Sequence, residues 1–308
     1  MSLMLLRKCS KSGIDCRPLR STLLSSLIAT IACYDPSAAM LLAGRPQSHQ
    51  FNWSNELATR FDTVGQIQCH DPANPGVAKT ATGWIVGSAD TVVTAAHLFF
   101  QRSRAGGRDA DILSPNRCTF ILYDGQGALR DVIGFRYGLS EWVDGRHRYD
   151  GSYDVAVLKL DRRASVRSIP AVKIVSHIST PMVKLAAFHG GPLRQEHPWL
   201  TSGRTQPFPA SIMVDHFDDM RISDTRRMLA ASADSTPGSS GGMYFDPAQN
   251  AAIGIHVGSL CAEGRTRHDP TSCFNYGLRF DAKILKMIDS VATDNPPMAQ
   301  VIIPDGNS

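Results

Sequence analysis

Ser240 lies in "DSTPGSSGG", residues 234–242, where two adjacent serines sit among three glycines and a proline. A serine hydroxyl attacks a carbonyl only when a base takes its proton and donors receive the negative oxygen that forms. Glycines on both sides of the pair open backbone conformations closed to other residues, so N–H groups can turn inward on such an oxygen. Ser240 is a better nucleophile candidate than Ser239, because Gly241 and Gly242 follow it directly. A plain Gly/Ser linker does not predict the strand-like "MYF" that comes next. Two other segments supply the partners this chemistry needs. His97 ends "VVTAAH", behind two alanines small enough to allow a sharp turn, and Asp154 opens "DVAVLKL" ahead of an alternating apolar run. Alone, each has an ordinary reading as a turn histidine or a strand-start aspartate. Together they are a base, an acid to orient it and a hydroxyl to activate.

The elements that must hold these residues read as β-strands. "VGQIQC", "TGWIVG", "CTFILYDG", "DVAVLKL", "VKLAAFHGG" and "AAIGIHVGS" are short runs rich in β-branched and aromatic residues. A turn is expected around Ala89 and Asp90. Gly, Pro, Asn and Asp separate the runs, which points to an antiparallel sandwich or barrel. One helix is predicted, over "DAKILKMIDSVA", residues 281–292, with Ile284, Leu285, Ile288 and Val291 at helical spacing and Asp281 as its cap. Residues 204–228, with two prolines and scattered charges, read as loops framing at most one strand. His70 and His189 sit in apparent turns and read as surface groups.

The serine segment also fits G-x-S-x-G, the nucleophile elbow of α/β-hydrolase esterases. Chain order argues against it. That fold runs serine, acid, histidine over parallel strands and helices, and here only residues 241–308 follow Ser240, with one predicted helix among them. The order His97, Asp154, Ser240, spaced 57 and then 86 residues apart (97 to 154, 154 to 240), resembles the chymotrypsin/trypsin-like serine peptidases through "TAAH", "DVAVLKL" and "GSSGG". The likeness covers about residues 62–292. It implies an all-β fold of two packed six-stranded antiparallel β-barrels, a site in the cleft between them and a C-terminal α-helix. It implies that His97 serves as general base and then acid, that Asp154 orients it, and that Ser240 attacks. It gives the oxyanion hole to the backbone N–H groups of Gly238 and Ser240. The expected substrate is a protein or peptide, with no cofactor and no metal. A non-catalytic secreted binding protein on the same fold is the rival reading, less favoured because all three candidates are present.

Two departures matter. Members activated by cleavage carry an aspartate directly before the nucleophile to receive a new N-terminal ammonium, whereas this chain has the uncharged Ser239. Activity is therefore expected not to depend on a liberated N-terminus, as in bacterial-type trypsin-like and glutamyl endopeptidases. The specificity pocket is contested. Asp234 stands six residues before Ser240, next to Ser235, where trypsin-like members receive Lys or Arg. His256 in "GIHVG" stands where glutamyl endopeptidases carry a histidine that favours acidic side chains. A pairing of Asp234 with His256 that leaves a polar, neutral pocket is a third possibility. The preferred residue stays open.

Charge and cysteine usage bound the setting. Of the +4 formal charge, residues 1–39 carry +3 (five basic, two acidic), leaving 27 basic and 26 acidic side chains in the body. So balanced a body gives no electrostatic reason to expect nucleic acid as a partner. After the basic stretch, "STLLSSLIATIAC" runs thirteen residues without charge, too short to span a bilayer and suited to an export signal. Residues 1–39 thus read as a signal peptide cleaved after Ala39, or alternatively as a lipoprotein leader anchored at Cys33. A secreted or periplasmic protein with no stable membrane span follows. Residues 40–61 read as an extension or propeptide, 62–165 as the first barrel, 166–292 as the second barrel plus helix, and 293–308 as a flexible tail. Outside the leader remain Cys69, Cys118, Cys261 and Cys273, an even set for an exported chain, with Cys69–Cys118 and Cys261–Cys273 as the favoured pairs. No CxxC spacing suggests a structural metal.

Overall fold

A computed structural model describes residues 60–70, 78–99, 113–125, 127–142, 150–174, 182–189, 198–206, 208, 222–261 and 273–295, apart from the side chains of Leu260, Cys261 and Cys273. Residues 1–59 and 296–308 lie outside the described residues.

Period-two patterning builds the first barrel. In β5 (Leu129–Leu139), Ile133, Phe135, Tyr137 and Leu139 are buried while Val132 and Arg136 are exposed, as alternation across a pleated strand requires. With β1 (Val64–His70), β2 (Ala78–Ile85), β3 (Thr91–Thr94), β4 (Cys118–Tyr123) and β6 (Ala156–Leu160), it closes in the order β1-β2-β3-β6-β5-β4. All the pairings are antiparallel, and β4 returns to β1 so that no edge is left. Cys69 and Cys118 face each other across that closing pair and are joined by a disulfide. Linking residues 49 apart stabilises by on the order of 4 kcal/mol in the chain-entropy account.

The second barrel repeats this connectivity with β7 (Met182–Ala187), β8 (Trp199–Gln206), β9 (Met228–Ala231), β10 (Met243–Asp246), β11 (Ala251–Cys261) and β12 (Cys273–Arg279). Its order, β7-β8-β9-β12-β11-β10, closes through β10 on β7. The fold is all-β, two closed six-stranded antiparallel barrels with a single described α-helix near the C-terminus, as the resemblance implied. Register places Cys261 opposite Cys273 in the β11–β12 pair, though their side chains, and so the expected second disulfide, lie outside the described residues. The stretch expected to hold at most one strand gives β8 as far as Gln206 and β9 from Met228, with 209–221 outside the described residues.

Three apolar clusters hold the molecule. Ile67, Val92, Phe120, Phe135 and Leu158 fill the first barrel, and Val183, Leu185, Leu229 and Ile253 fill the second. The third is shared: Val64, Trp84, Val93 and Val157 pack with Ala186, Met243, Ile255 and Leu278. Across this seam the Trp84 and Phe280 rings lie 5.8 Å apart, and Phe61 meets Phe245 edge-on at 5.3 Å. Helix α1 (Ala282–Ala292) starts where Asp281 accepts the Ile284 N–H at 2.9 Å, the cap the sequence predicts, and adds Ile284, Ile288 and Val291 to the shared cluster. Its far end is tied to the first barrel. The buried Lys159 ammonium donates to the Val291 carbonyl at 3.1 Å and pairs with Asp90 at 3.1 Å. A cation at a helix C-terminus meets the negative end of the dipole. The helix that follows the second barrel thus clamps both, which fixes the geometry of the seam.

Candidate active site

Strand pairing brings the histidine and the aspartate together. β3 and β6 are antiparallel neighbours with Thr94 opposite Ala156, so the end of β3 adjoins the start of β6. His97 lies in the short 3₁₀ turn Ala96–Phe99 that follows β3, where the fully buried Ala95 and Ala96 let the chain bend inward. Asp154 follows a second 3₁₀ turn, Gly151–Tyr153, started by Asp150, which accepts the Ser152 N–H at 3.0 Å. Asp154 is 0% exposed and receives two bonds from His97: the backbone N–H to Oδ1 at 2.8 Å, and Nδ1 to Oδ2 at 2.7 Å. Carboxylate oxygens only accept, so the imidazole proton belongs on Nδ1 and Nε2 keeps its lone pair. That nitrogen lies 2.9 Å from Ser240 Oγ, within reach of its proton. The His97 side chain is 25% exposed.

Charge sets the base strength. Burial works to lower the His97 pKa, but the Asp154 carboxylate and its hydrogen bond outweigh this, and the net shift is upward. An imidazolium here is thus better stabilised than in water, and the base is stronger than a free histidine.

The loop that carries Ser240 joins β9 to β10 of the second barrel and touches the first where Thr82 N–H meets the Ser240 carbonyl. Its amides divide into two groups. Thr236 N–H donates to Ser239 Oγ, Ser239 N–H to the Thr236 carbonyl, Gly241 N–H to the His256 carbonyl and Gly242 N–H to the Ser239 carbonyl. The Gly238 and Ser240 amides meet no backbone acceptor among the described residues. Glycine is required here. Gly238 has φ +96° and Gly241 +85°, and a Cβ on Gly241 would come within 2.1 Å of the Thr82 carbonyl oxygen. Ser239 is buried and turned into its own loop, its hydroxyl accepting from Thr236 and lying 3.4 Å from the Phe188 carbonyl.

The contested pocket residues separate. Asp234 is half-buried, burial pushes its carboxyl up to about 6, and its backbone carbonyl accepts from Thr201. His256 is fully buried on β11, its Nδ1 3.0 Å from the Tyr244 hydroxyl. Burial, reinforced by the nearby His97 and His189, lowers its pKa to about 3, so it stays neutral. Among the described residues no bond joins Asp234 to His256. Ser235, fully buried, donates to Asn275 Oδ1 at 2.8 Å, and Ser259 shares that acceptor.

His70 is exposed, as its turn setting suggests, but His189 is not the surface group expected. It is 5% exposed, lies 4.9 Å from the Trp199 ring and holds the Thr236 hydroxyl at 2.7 Å through Nδ1, and burial lowers its pKa to about 4. A turn composition shows that the chain bends, not which loop covers it. Tyr244 and Thr82 were also missed. Nothing local marks a tyrosine in "MYF" or a threonine in "TGWIVG" as a partner of residues remote in sequence.

Residues 81–255 match the trypsin-like peptidase domain. The chain belongs to this family. The trypsin-like peptidase domain spans the histidine, the aspartate and the serine loop, and membership indicates a serine protease. Solved structures agree in fold. A Glu endopeptidase in complex with MPD is similar at a TM-score of 0.50 and 15% identity, over 76% of this chain and 94% of that one. A thermostable serine protease, AL20, from an extremophilic microorganism is similar at 0.51 and 16%, over 77% and 100%. The Rv3671c protease of M. tuberculosis in its active form is similar at 0.50 and 17%, over 92% and 98%. Identities this low speak to the fold alone. No curated protein sequence matches the chain.

Proposed function

We propose that this trypsin-like peptidase is an exported serine endopeptidase working through Ser240, His97 and Asp154. The observation that carries the reading is the run of contacts from Asp154 Oδ2 through both His97 nitrogens to Ser240 Oγ, at 2.7 and 2.9 Å. Ser240 Oγ bonds to the scissile carbonyl carbon as its proton passes to His97 Nε2, and Asp154 stabilises the imidazolium. The carbonyl oxygen becomes an anion received by the N–H groups of Gly238 and Ser240, which meet no backbone acceptor among the described residues. His97 then returns the proton to the leaving amine as the C–N bond breaks, which leaves an acyl ester on Ser240. A water attacks the ester, gives its proton to Nε2 and releases the acid, and Ser240 recovers its proton. No step calls for a metal or an organic cofactor.

Export is part of the proposal, supported by the basic and then uncharged order of residues 1–39 and by the Cys69–Cys118 disulfide. No helix among the described residues is long and apolar enough to cross a membrane. The proposed division keeps 1–39 as signal peptide, 40–61 as extension or propeptide, 62–165 and 166–292 as the two barrels, and 293–308 as tail.

Cleavage of a defined peptide library, with the products sequenced, tests the proposal. Ser240-dependent endoproteolysis is expected, and an intact library after prolonged incubation with folded protein would sink it in favour of a binding role. The same products report whether Asp234 or His256 governs side-chain preference. A pH profile adds a signed prediction. His97 must be neutral to accept the Ser240 proton, so kcat/KM should fall as pH drops, with a midpoint above the ordinary imidazole value of about 6.5. A midpoint well below that value would contradict the role given to Asp154.

A further inference from the structure

Thr82 lies on β2 of the first barrel, fully buried, and three of its polar atoms reach the candidate site. Its N–H donates to the Ser240 carbonyl at 2.8 Å. Its carbonyl accepts the hydroxyl of Thr94, three residues before His97, at 2.7 Å. Its Oγ1 lies 2.8 Å from the Gly238 carbonyl and 2.8 Å from the Phe188 nitrogen. The chemistry of these neighbours fixes the hydroxyl proton. A carbonyl only accepts and an amide N–H only donates, so Thr82 donates to Gly238 and accepts from Phe188.

The two carbonyls Thr82 grips belong to Gly238 and Ser240, the residues whose own N–H groups are left without a backbone acceptor among the described residues. Each grip sets the plane of the peptide unit that begins at that residue. Gly238, at φ +96°, is the freest joint of the loop, and its carbonyl is held by the Thr82 hydroxyl. The Gly238–Ser239 peptide is held at both ends, since its Ser239 N–H donates to the Thr236 carbonyl; without the Thr82 bond it keeps one anchor of two, and the amides on either side lose part of their common aim. Gly241 shows how close the approach is, since a Cβ there would also meet Thr94 Oγ1 at 2.4 Å.

We infer that Thr82 is a positioning residue for catalysis: its hydroxyl, from the opposite barrel, preorganises the Gly238 and Ser240 amides that receive the oxyanion. This rests on the peptidase reading above. The role predicts a loss confined to transition-state stabilisation, because neither the base nor the hydroxyl attacked is touched.

The test compares Thr82→Val, which keeps the shape without the hydroxyl, with Thr82→Ser, which keeps the hydroxyl. Rates are taken per active site titrated with a fluorophosphonate, using a peptide substrate drawn from the library cleavage. Thr82→Val should lower kcat by about 10- to 100-fold with KM within about 3-fold, a fraction of what loss of an oxyanion donor itself costs. It should weaken a peptide boronate or aldehyde, whose adduct carries an oxygen in the oxyanion position, by a similar factor. Thr82→Ser should stay within about 3-fold of the wild type in both measurements. The midpoint of the acid limb of the pH profile should not move, since His97 is unchanged. Thr82→Ala leaves room for water to take the two bonds and covers the case in which Val prevents folding. It too should lower kcat by more than about 3-fold, since a water is not tethered. A folded valine variant, or failing that a folded alanine variant, with wild-type kcat per titrated site would overturn the proposal. So would a serine variant as impaired as the valine one. A wild-type protein without turnover would overturn this role together with the peptidase reading, whereas an active wild type with an unaffected Thr82→Val would overturn the Thr82 role alone.

Discussion

Ser240→Ala is expected to lower kcat by about a millionfold, leaving the residual acceleration that binding and the oxyanion amides supply, about 10³- to 10⁴-fold over water. The size follows from how the site is built. His97 Nε2 has one proton to collect, the one on Ser240 Oγ 2.9 Å away, and the acyl ester has one atom on which to form. With the hydroxyl gone, Asp154 and His97 keep their geometry but have nothing to activate. KM should change little, because the missing oxygen makes its decisive bond only during reaction. Steady-state kinetics with circular dichroism to verify folding would check this, and a loss of only tenfold would mean that another group attacks.

Asp154→Asn should cost about 10⁴-fold in kcat at neutral pH, again with little change in KM. Asp154 accepts from both the His97 backbone N–H and Nδ1, and it is wholly buried, so water cannot take its place. An asparagine that turns its oxygen to one donor turns its NH2 to the other. Where the NH2 faces Nδ1, the imidazole must carry its proton on Nε2, and a protonated Nε2 cannot accept from Ser240. The geometry survives while the tautomer is wrong. An Asp154→Asn variant with under tenfold loss in kcat, measured by steady-state kinetics, would place the orienting charge elsewhere.

Ser239 bears on whether turnover depends on a free N-terminus. Its hydroxyl is already occupied within its own loop by Thr236, and no carboxylate stands there to receive an ammonium. Extending the mature N-terminus by a few residues should therefore leave turnover unchanged. An inactive extended form that recovers on trimming would show a dependence on the N-terminus that Ser239 gives no reason to expect.

How far the sequence could be read depended on whether a feature is local. Strands with a clear apolar signature, such as "VAVLKL" and "AAIGIHVGS", stand out because their inward residues are large or β-branched. β8, "WLTSGRTQ", carries a weak signature because polar and small residues fill much of it, and β12, "CFNYGLR", alternates Phe274, Tyr276 and Leu278 but breaks its apolar run with Asn275 and Gly277. Both are held by neighbouring strands through backbone pairing, which leaves no mark in side-chain type. The cap of α1 was legible because Asp281 bonds three residues ahead. The candidate triad was legible only as an ordered set, since each member alone fits an ordinary turn. Long-range roles were not legible at all. Thr82 reaches Gly238 across 156 positions, and His189 is held by Thr236, 47 positions on, while stacking near Trp199 of β8. The Asp234–His256 pairing, open from sequence, gives way to a His256–Tyr244 contact across the neighbouring strands β10 and β11.

The most direct test of the central claim is mass mapping of the wild-type protein after reaction with a fluorophosphonate peptide-mimic. One covalent adduct per chain is expected, on Ser240 Oγ, formed faster as pH rises through the His97 midpoint and absent from Ser240→Ala. An adduct on Ser239 or any other serine, or equal labelling of Ser240→Ala, would contradict it.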